Sequence, residues 1–267
     1  MNKIGLIAGE GRFPFLFAQA AKMRGAFVSG FAFLKLTDKK LKKYVDEIFW
    51  LNVGELNKLL ELFKQNRIEK AIMAGKIPKV LLFNPCFKRD TGINSLLDKV
   101  VDKKDNSLLS AIADKLEEEG IELLDSTTFL SHLLAIKETL SKREPSTSEW
   151  EDIYFGKDLA KRMSDLDIGQ SVVVKDKAIL AIEAIEGTDA AVRRGGRLAQ
   201  RGAVVVKMSS PRQDMRFDIP VVGPQTIRSL IKAKAKVLAI EAGKTLIIDR
   251  KEAIRLADNK GIAVVAI

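Results

Sequence analysis

Two short segments in the second half of the chain bring carboxylates, a glycine, a hydroxyl and arginines together at spacings that suit phosphate chemistry. The first is Glu186-Gly187-Thr188-Asp189, which follows the largely apolar run Ala178 to Ile185 and precedes a predicted helix carrying Arg193 and Arg194. Carboxylate oxygens suit a hard cation such as Mg2+, which leaves positions for phosphate and water. The structural alternative is that Thr188 caps the helix and Asp189 pairs with Arg193 one turn later. The second segment is Gln213-Asp214-Met215-Arg216-Phe217-Asp218-Ile219-Pro220, closed by a Gly223-Pro224 turn. Its alternation predicts an extended stretch with Asp214, Arg216 and Asp218 on one face and Met215, Phe217 and Ile219 on the other. A solvated strand face is the alternative there.

Glycines mark further candidate contacts. Gly9-Glu10-Gly11-Arg12-Phe13-Pro14 follows a strand-like run and opens a helix, where backbone N–H groups and the helix dipole favour an anion. Pro14 stands where the dinucleotide fingerprint has its third glycine, and no acidic residue clearly ends the second strand, which argues against a nicotinamide-dependent oxidoreductase. A tight turn needing two glycines is the bland reading. Gly75-Lys76 ends another strand-like run on the edge where open α/β sheets bind ligands. Asp167-Ile168-Gly169-Gln170 precedes a strand at Ser171.

Other chemistries are excluded by counting. One cysteine, Cys86, and one histidine, His132, build neither a disulfide nor a Cys/His zinc site. Cys86 reads as a small buried hydrophobe near Pro85, and no Ser/His/Asp arrangement accompanies His132.

The elements that must position these residues alternate in type. Strands are expected at Ile4–Ala8, Ala26–Leu34 and Lys70–Ala74, and helices at Phe15–Arg24, Glu55–Asn66 and Leu108–Glu119. This predicts an α/β fold with an N-terminal Rossmann-like parallel-sheet domain. Later, strands at Ser171–Lys175 and Ala178–Ile185 flank a tight turn at Asp176-Lys177. A helix from about Asp189 follows, then strands at Ala203–Met208 and Lys236–Glu241, a turn at Gly243 and a closing helix and strand. This second domain is of mixed α/β type. Eleven of the thirteen phenylalanines lie at or before Phe129, which suggests two cores. Ser141 to Trp150 is polar and contains Pro145, so the expected organisation is a domain over 1–140, a linker over 141–150 and a second domain over 151–267.

The 267 residues carry 45 Lys+Arg against 35 Asp+Glu, a net charge of +10. Residues 193–236 alone hold eleven basic side chains against Asp214 and Asp218, which suggests an anionic partner: phosphate, an anionic membrane surface or nucleic acid. Few aromatics interleave them, which disfavours single-stranded nucleic acid. No uncharged run approaches the roughly 18 residues of a membrane span. Glu10 and Arg12 interrupt the first apolar run before it reaches signal-peptide length, so the expected location is cytoplasmic.

The segments IGLIAGEGRFP, DIGQ, EAIEGTDAAVRR, VVVKMSSPRQDMRFDIPVVGPQT and LIIDRKEAIRLADNKGIAVV together resemble the LpxI-type UDP-2,3-diacylglucosamine pyrophosphatases of lipid A synthesis, in order and from end to end. The resemblance implies a two-domain enzyme, with its ligand between the domains, that hydrolyses the diphosphate of UDP-2,3-diacylglucosamine to UMP and 2,3-diacylglucosamine 1-phosphate (lipid X). It also implies a divalent metal, usually Mg2+, and a cytoplasmic enzyme in transient contact with the inner-membrane surface. Hydrolysis or binding of another nucleoside diphosphate conjugate is the alternative. Nucleic acid is not expected as a partner, and a homo-oligomer is compatible with the sequence. With that chemistry, Asp218 and Asp189 are the expected catalytic residues, and Asp218, Asp189 and Glu186 the expected metal ligands. Arg193, Lys207 and Arg216 are expected on phosphate, Thr188 and Gln170 as neutral donors, and Gly9, Gly11, Gly75, Lys76 and Gly187 at the substrate. The Phe-rich first domain is expected to line an acyl-chain groove.

Overall fold

The computed structural model describes residues 3–78, 81, 88–99, 105–210 and 213–267. Cys86 and Arg212 lie outside the described residues. The chain forms two compact units, one of Met1–Ser131 with Asp214–Asp218, the other of His132–Gln213 with Ile219–Ile267. The division therefore falls at Ser131, ahead of the expected boundary near 140, and a five-residue excursion belongs to the first unit.

In the N-terminal unit, β1 (Lys3–Ala8), α1 (Phe13–Met23), β2 (Phe27–Phe33), β3 (Glu47–Leu51), α2 (Leu56–Gln65), β4 (Lys70–Ala74), α3 (Thr91–Lys99), α4 (Asp105–Glu118) and β5 (Glu122–Leu123) follow in order. The strands form one sheet in the order β3-β2-β1-β4-β5, every neighbouring pair parallel. This is the expected Rossmann-like layer, and its strand order reverses between β1 and β4. The phenylalanines are spent on the core: Phe13, Phe15, Phe17, Phe31, Phe33 and Phe63 are all buried, and Phe31 packs edge-on to Phe63 with centroids 4.3 Å apart. Among the described residues they are packing, not the walls of an open groove, because a parallel sheet covered by helices must fill both faces with apolar volume.

The C-terminal unit comprises β6 (Glu138–Thr139), α5 (Thr147–Asp165), β7 (Ser171–Lys175), β8 (Ala178–Ile182), α6 (Thr188–Ala199), β9 (Val204–Lys207), β10 (Val221–Val222), α7 (Pro224–Lys232), β11 (Val237–Ile240), β12 (Leu246–Ile247), α8 (Arg250–Asp258) and β13 (Ala263–Ala266). Its main sheet runs β6-β13-β11-β9-β7-β8, parallel across β13-β11-β9 and antiparallel elsewhere. Residue parity sorts its two cores. Val172, Val174, Val204, Val206, Val237 and Ala239 face α5, while Val173, Val205, Leu238 and Ile240 face α6 and α7. Close helix approach needs a missing side chain: a Cβ on Gly195 would lie 2.6 Å from Val173 Cβ.

The hairpin at Asp176-Lys177 is as expected, with both residues at positive φ (51° and 58°) as a type I′ turn requires. Three expectations are corrected. Strand β8 ends at Ile182, three residues early, because the chain turns through Ile185 and Glu186 towards α6. Residues 141–150 are not a free linker. Ser141 Oγ accepts from Val264 N, Arg143 grips Glu149, and Ser146 with Glu149 forms a capping box that starts α5. Residues 213–220 are not extended. They turn, with the Asp218 N–H bonded to the Asp214 carbonyl at 2.9 Å.

Gly195→Ala should destabilise the protein by about 1–3 kcal/mol through overpacking against Val173, and Ser146→Ala by about 1 kcal/mol through loss of the cap. Urea unfolding monitored by circular dichroism measures both.

Candidate functional site

Lys207 is the most constrained of the expected site residues. It ends β9, and its parity with Val205 turns its side chain to the α6 face, directly opposite Ser171 in the antiparallel register of β7 and β9. The residue is 7% exposed. Its ammonium donates to Thr188 Oγ1 at 3.0 Å and lies 3.9 Å from Glu183 Oε2. An ammonium carries three N–H donors, so among the described residues it retains donor capacity with no protein acceptor.

Thr188 is the first residue of α6, with Gly187 at the N-cap, φ 82°. The alternative of a cap by Thr188 itself does not hold, since Gly187 is the N-cap, and the Thr188 hydroxyl is turned to Glu183 Oε1, to which it donates at 2.7 Å. A hydroxyl has one proton, so while Glu183 is ionised Thr188 serves as an acceptor for Lys207, not as the expected donor to a ligand. Burial raises the Glu183 carboxyl. The Lys207 charge, the Ser171 and Thr188 hydroxyls and the Gln170 backbone N–H outweigh that and hold it below its ordinary value of 4.5. Glu183 Oε2 and Ser171 Oγ are both buried, and among the described residues neither meets a partner at full hydrogen-bond geometry. Gln170 therefore reaches the site through its backbone, and Gly169 permits this: a Cβ there would lie 2.3 Å from the Glu183 carbonyl oxygen.

The flanking residues are arranged differently from expectation. Asp189 accepts from Ser229 Oγ of α7 at 2.7 Å, tying two helices together, and is not partnered by Arg193, which is exposed. Glu186 forms an ion pair with Arg194 at 3.2 Å. No group of three His, Cys, Asp or Glu side chains that could cage a metal occurs among the described residues.

In the N-terminal unit, the excursion 214–218 is held by Ser126, whose N–H donates to the Met215 carbonyl at 2.9 Å and whose Oγ lies 2.6 Å from the Arg216 carbonyl. The Arg216 guanidinium is committed to Asp214 through Nε and Nη2 and to Glu117 through Nη1. Burial raises the Asp214 carboxyl, but the Arg216 hydrogen bonds and charge hold it below the ordinary range. Gly9 and Gly75 meet backbone to backbone. Gly9 N donates to Ala74 O at 2.8 Å and Glu10 N to Lys76 O at 2.9 Å, so these two amides are not a phosphate cradle. Gly75 needs φ 91°, and a Cβ there would lie 2.7 Å from the Glu10 carbonyl oxygen. Gly11, φ 97°, has open space beside it.

Glu183, Ser171 and Ser229 are the residues that sequence reasoning passed over. The signal for Glu183 was an acidic residue within an apolar run, five positions before Thr188. Because its pKa is depressed, its stabilising contribution is present above the unfolded value near 4.5 and is lost as pH falls through the lower folded value. Glu183→Gln should therefore be less stable than the parent at pH 7 by about 1–3 kcal/mol, with the gap narrowing below pH 4.5. Thermal unfolding as a function of pH tests this.

Comparison with known proteins agrees with the fold and the order of motifs. Residues 3–133 match the family described as LpxI N-terminal domain and residues 137–265 the one described as LpxI C-terminal domain. The chain is also 30% identical over 277 residues, covering 100% of itself and 98% of the relative, to the UDP-2,3-diacylglucosamine pyrophosphatase LpxI of Caulobacter vibrioides. With both halves matched and a relative aligned over its full length, the chain belongs to the LpxI family.

Proposed function

We propose that this protein hydrolyses the diphosphate of UDP-2,3-diacylglucosamine to UMP and 2,3-diacylglucosamine 1-phosphate, a step of lipid A biosynthesis, in the cytoplasm. The observation that carries the reading is the buried Lys207 ammonium, with N–H donors uncommitted among the described residues, beside the first turn of α6 at the carboxyl end of β9. A fixed charge in a desolvated site is suited to the charge that develops on a phosphoryl oxygen, because it needs no reorganisation when the bond breaks. The activity named for the Caulobacter relative supports the substrate.

Within this reading Lys207 and the first amides of α6 hold a diphosphate oxygen and Glu183 keeps the lysine charged; for Asp218, which belongs to the N-terminal unit, the role of orienting the attacking water and taking its proton is proposed from the family resemblance. A divalent cation fits this donor set only as Mg2+ commonly binds, through one or two carboxylates together with substrate phosphate oxygens. Asp189 and Glu186 of the C-terminal unit and Asp218 of the N-terminal unit are the carboxylates the resemblance proposes for that, and the ion would supply neutralisation of diphosphate charge.

The deciding experiment is turnover of UDP-2,3-diacylglucosamine by purified protein with Mg2+ and with excess chelator, following both products. Metal-dependent release of UMP and the lipid 1-phosphate is expected. A folded protein that releases neither sinks the proposal. Lys207→Met should lower kcat by about 10²–10³-fold, as loss of one preorganised donor does. Asp218→Ala should abolish turnover with an unchanged circular dichroism spectrum, and an active D218A protein removes Asp218 from the mechanism.

A further inference from the structure

The basic run 193–236 is neutralised only in part: Lys207 is buried, Arg194 pairs with Glu186, Arg216 with Asp214 and Glu117, and Arg228 with Glu252, while the remaining described basic residues are spread over several elements. A second, more compact cluster has, among the described residues, no ion pair on any of its lysines. After β2 the chain turns through Leu34 to Lys43 (LKLTDKKLKK), with five lysines, Lys35, Lys39, Lys40, Lys42 and Lys43, and one acid, Asp38. All five are exposed, and among the described residues none has an ion pair or a side-chain hydrogen bond. Asp38 offsets one of the five charges and leaves the segment at +4; its carboxylate accepts from the Lys40 backbone N–H at 2.9 Å, starting a short 3-10 helix over Lys39–Lys43. By contrast Lys3, Lys22, Lys64, Lys70 and Lys115 of the same unit each lie against a carboxylate.

The cluster is also held rigidly. Leu41 is fully buried beneath it, and the Thr37 hydroxyl donates to the Ala8 carbonyl at 2.5 Å while accepting from Phe33 N at 3.0 Å. This fixes the segment to the carboxyl end of β1, the sheet edge on which Gly9 and Gly75 lie. Leu34, 43% exposed, stands at the root of the turn. Five neighbouring ammonium groups that self-repel, with a single carboxylate among them and one apolar side chain beside them, are matched by a surface of dense anionic headgroups over a hydrocarbon layer.

We infer that Leu34–Lys43 is a membrane-contact surface that docks the N-terminal unit on anionic phospholipid. The choice of a lipid partner rests on the proposed reaction, whose substrate carries two acyl chains. Attraction of this kind acts within about a Debye length, roughly 10 Å at 0.1 M salt, so binding weakens as salt rises.

The test is co-sedimentation of the full chain with large unilamellar vesicles of phosphatidylcholine alone or with about one third phosphatidylglycerol. The unaltered protein should bind the anionic vesicles at least about tenfold more tightly. Replacing Lys39, Lys40, Lys42 and Lys43 by Gln should remove that preference, and replacing the same four by Arg should keep it. A control that removes the same charge elsewhere, with Lys232, Lys251, Arg255 and Lys260 changed to Gln, should keep it as well. Equal binding to both vesicles, or an unaltered preference in the quadruple Gln variant, overturns the inference. A larger loss of affinity for a short RNA duplex than for vesicles at the same salt also overturns it, in favour of nucleic acid. Turnover in detergent micelles separates the two readings. The Gln variant should retain it, whereas its absence in the unaltered protein refutes the enzymatic proposal and leaves the vesicle result to stand on its own.

Discussion

A charged ammonium taken out of water at the end of a central strand is the constraint on which the C-terminal unit depends. Leaving such a charge uncompensated costs several kcal/mol, so the sequence around Lys207 must supply acceptors that cannot move away. Thr188 is fixed by the start of α6, and Glu183 by the exit of β8. Gly169 allows the Gln170 backbone to approach Glu183, and Gly195 lets α6 settle against Val173 so that its first turn reaches the β9 end. None of these residues is chemical by itself. Together they turn a strand-end lysine into a desolvated charge that retains donor capacity.

A second cluster steadies the same strand edge without that reserve. Glu241, after β11, accepts from Lys161 Nζ through both oxygens and from the Ser209 N–H at 2.9 Å. Burial raises the Glu241 carboxyl, and the Lys161 and Ser209 hydrogen bonds more than compensate. Its carboxylate is shared among several donors, whereas Lys207 has a single hydrogen-bond acceptor among the described residues. The difference separates a clamp, which fixes where β9 leaves the sheet, from a site with room for another group.

Much of the scaffold was legible because local rules and tertiary outcome agree. The apolar runs of β1, β2 and β4, the positive-φ glycines after helices and the Asp176-Lys177 hairpin all follow from short-range chemistry. The failures have physical causes too. Ser141–Trp150 looked like a linker because Pro145 and polar residues dominate its composition, yet Ser146 and Glu149 carry the Ser-x-x-Glu spacing of a capping box. The sites were less legible than the scaffold. Spacing marks Thr188 and Asp189 as neighbours, but only the packing of α7 gives Asp189 to Ser229, and only strand parity gives Thr188 to Lys207. A count of basic residues likewise does not reveal which of them carboxylates have already neutralised.

The alternating segment 213–220 shows why periodicity alone misleads there. Period two buries one face only when a neighbouring strand fixes the register, and residues 214–218 have no such neighbour among the described residues. What they have is Ser126, which engages the Met215 and Arg216 carbonyls, and Asp214, which takes the Arg216 guanidinium two residues on. Those interactions favour a turn, in which the Asp218 N–H closes onto the Asp214 carbonyl. The placement of Asp218 is thus set by Asp214 within its own motif and by Ser126 outside it. If Asp218 has the role proposed for it, its carboxylate gains from such anchoring, since a freely extended loop would leave its position to solvent and a pinned turn does not.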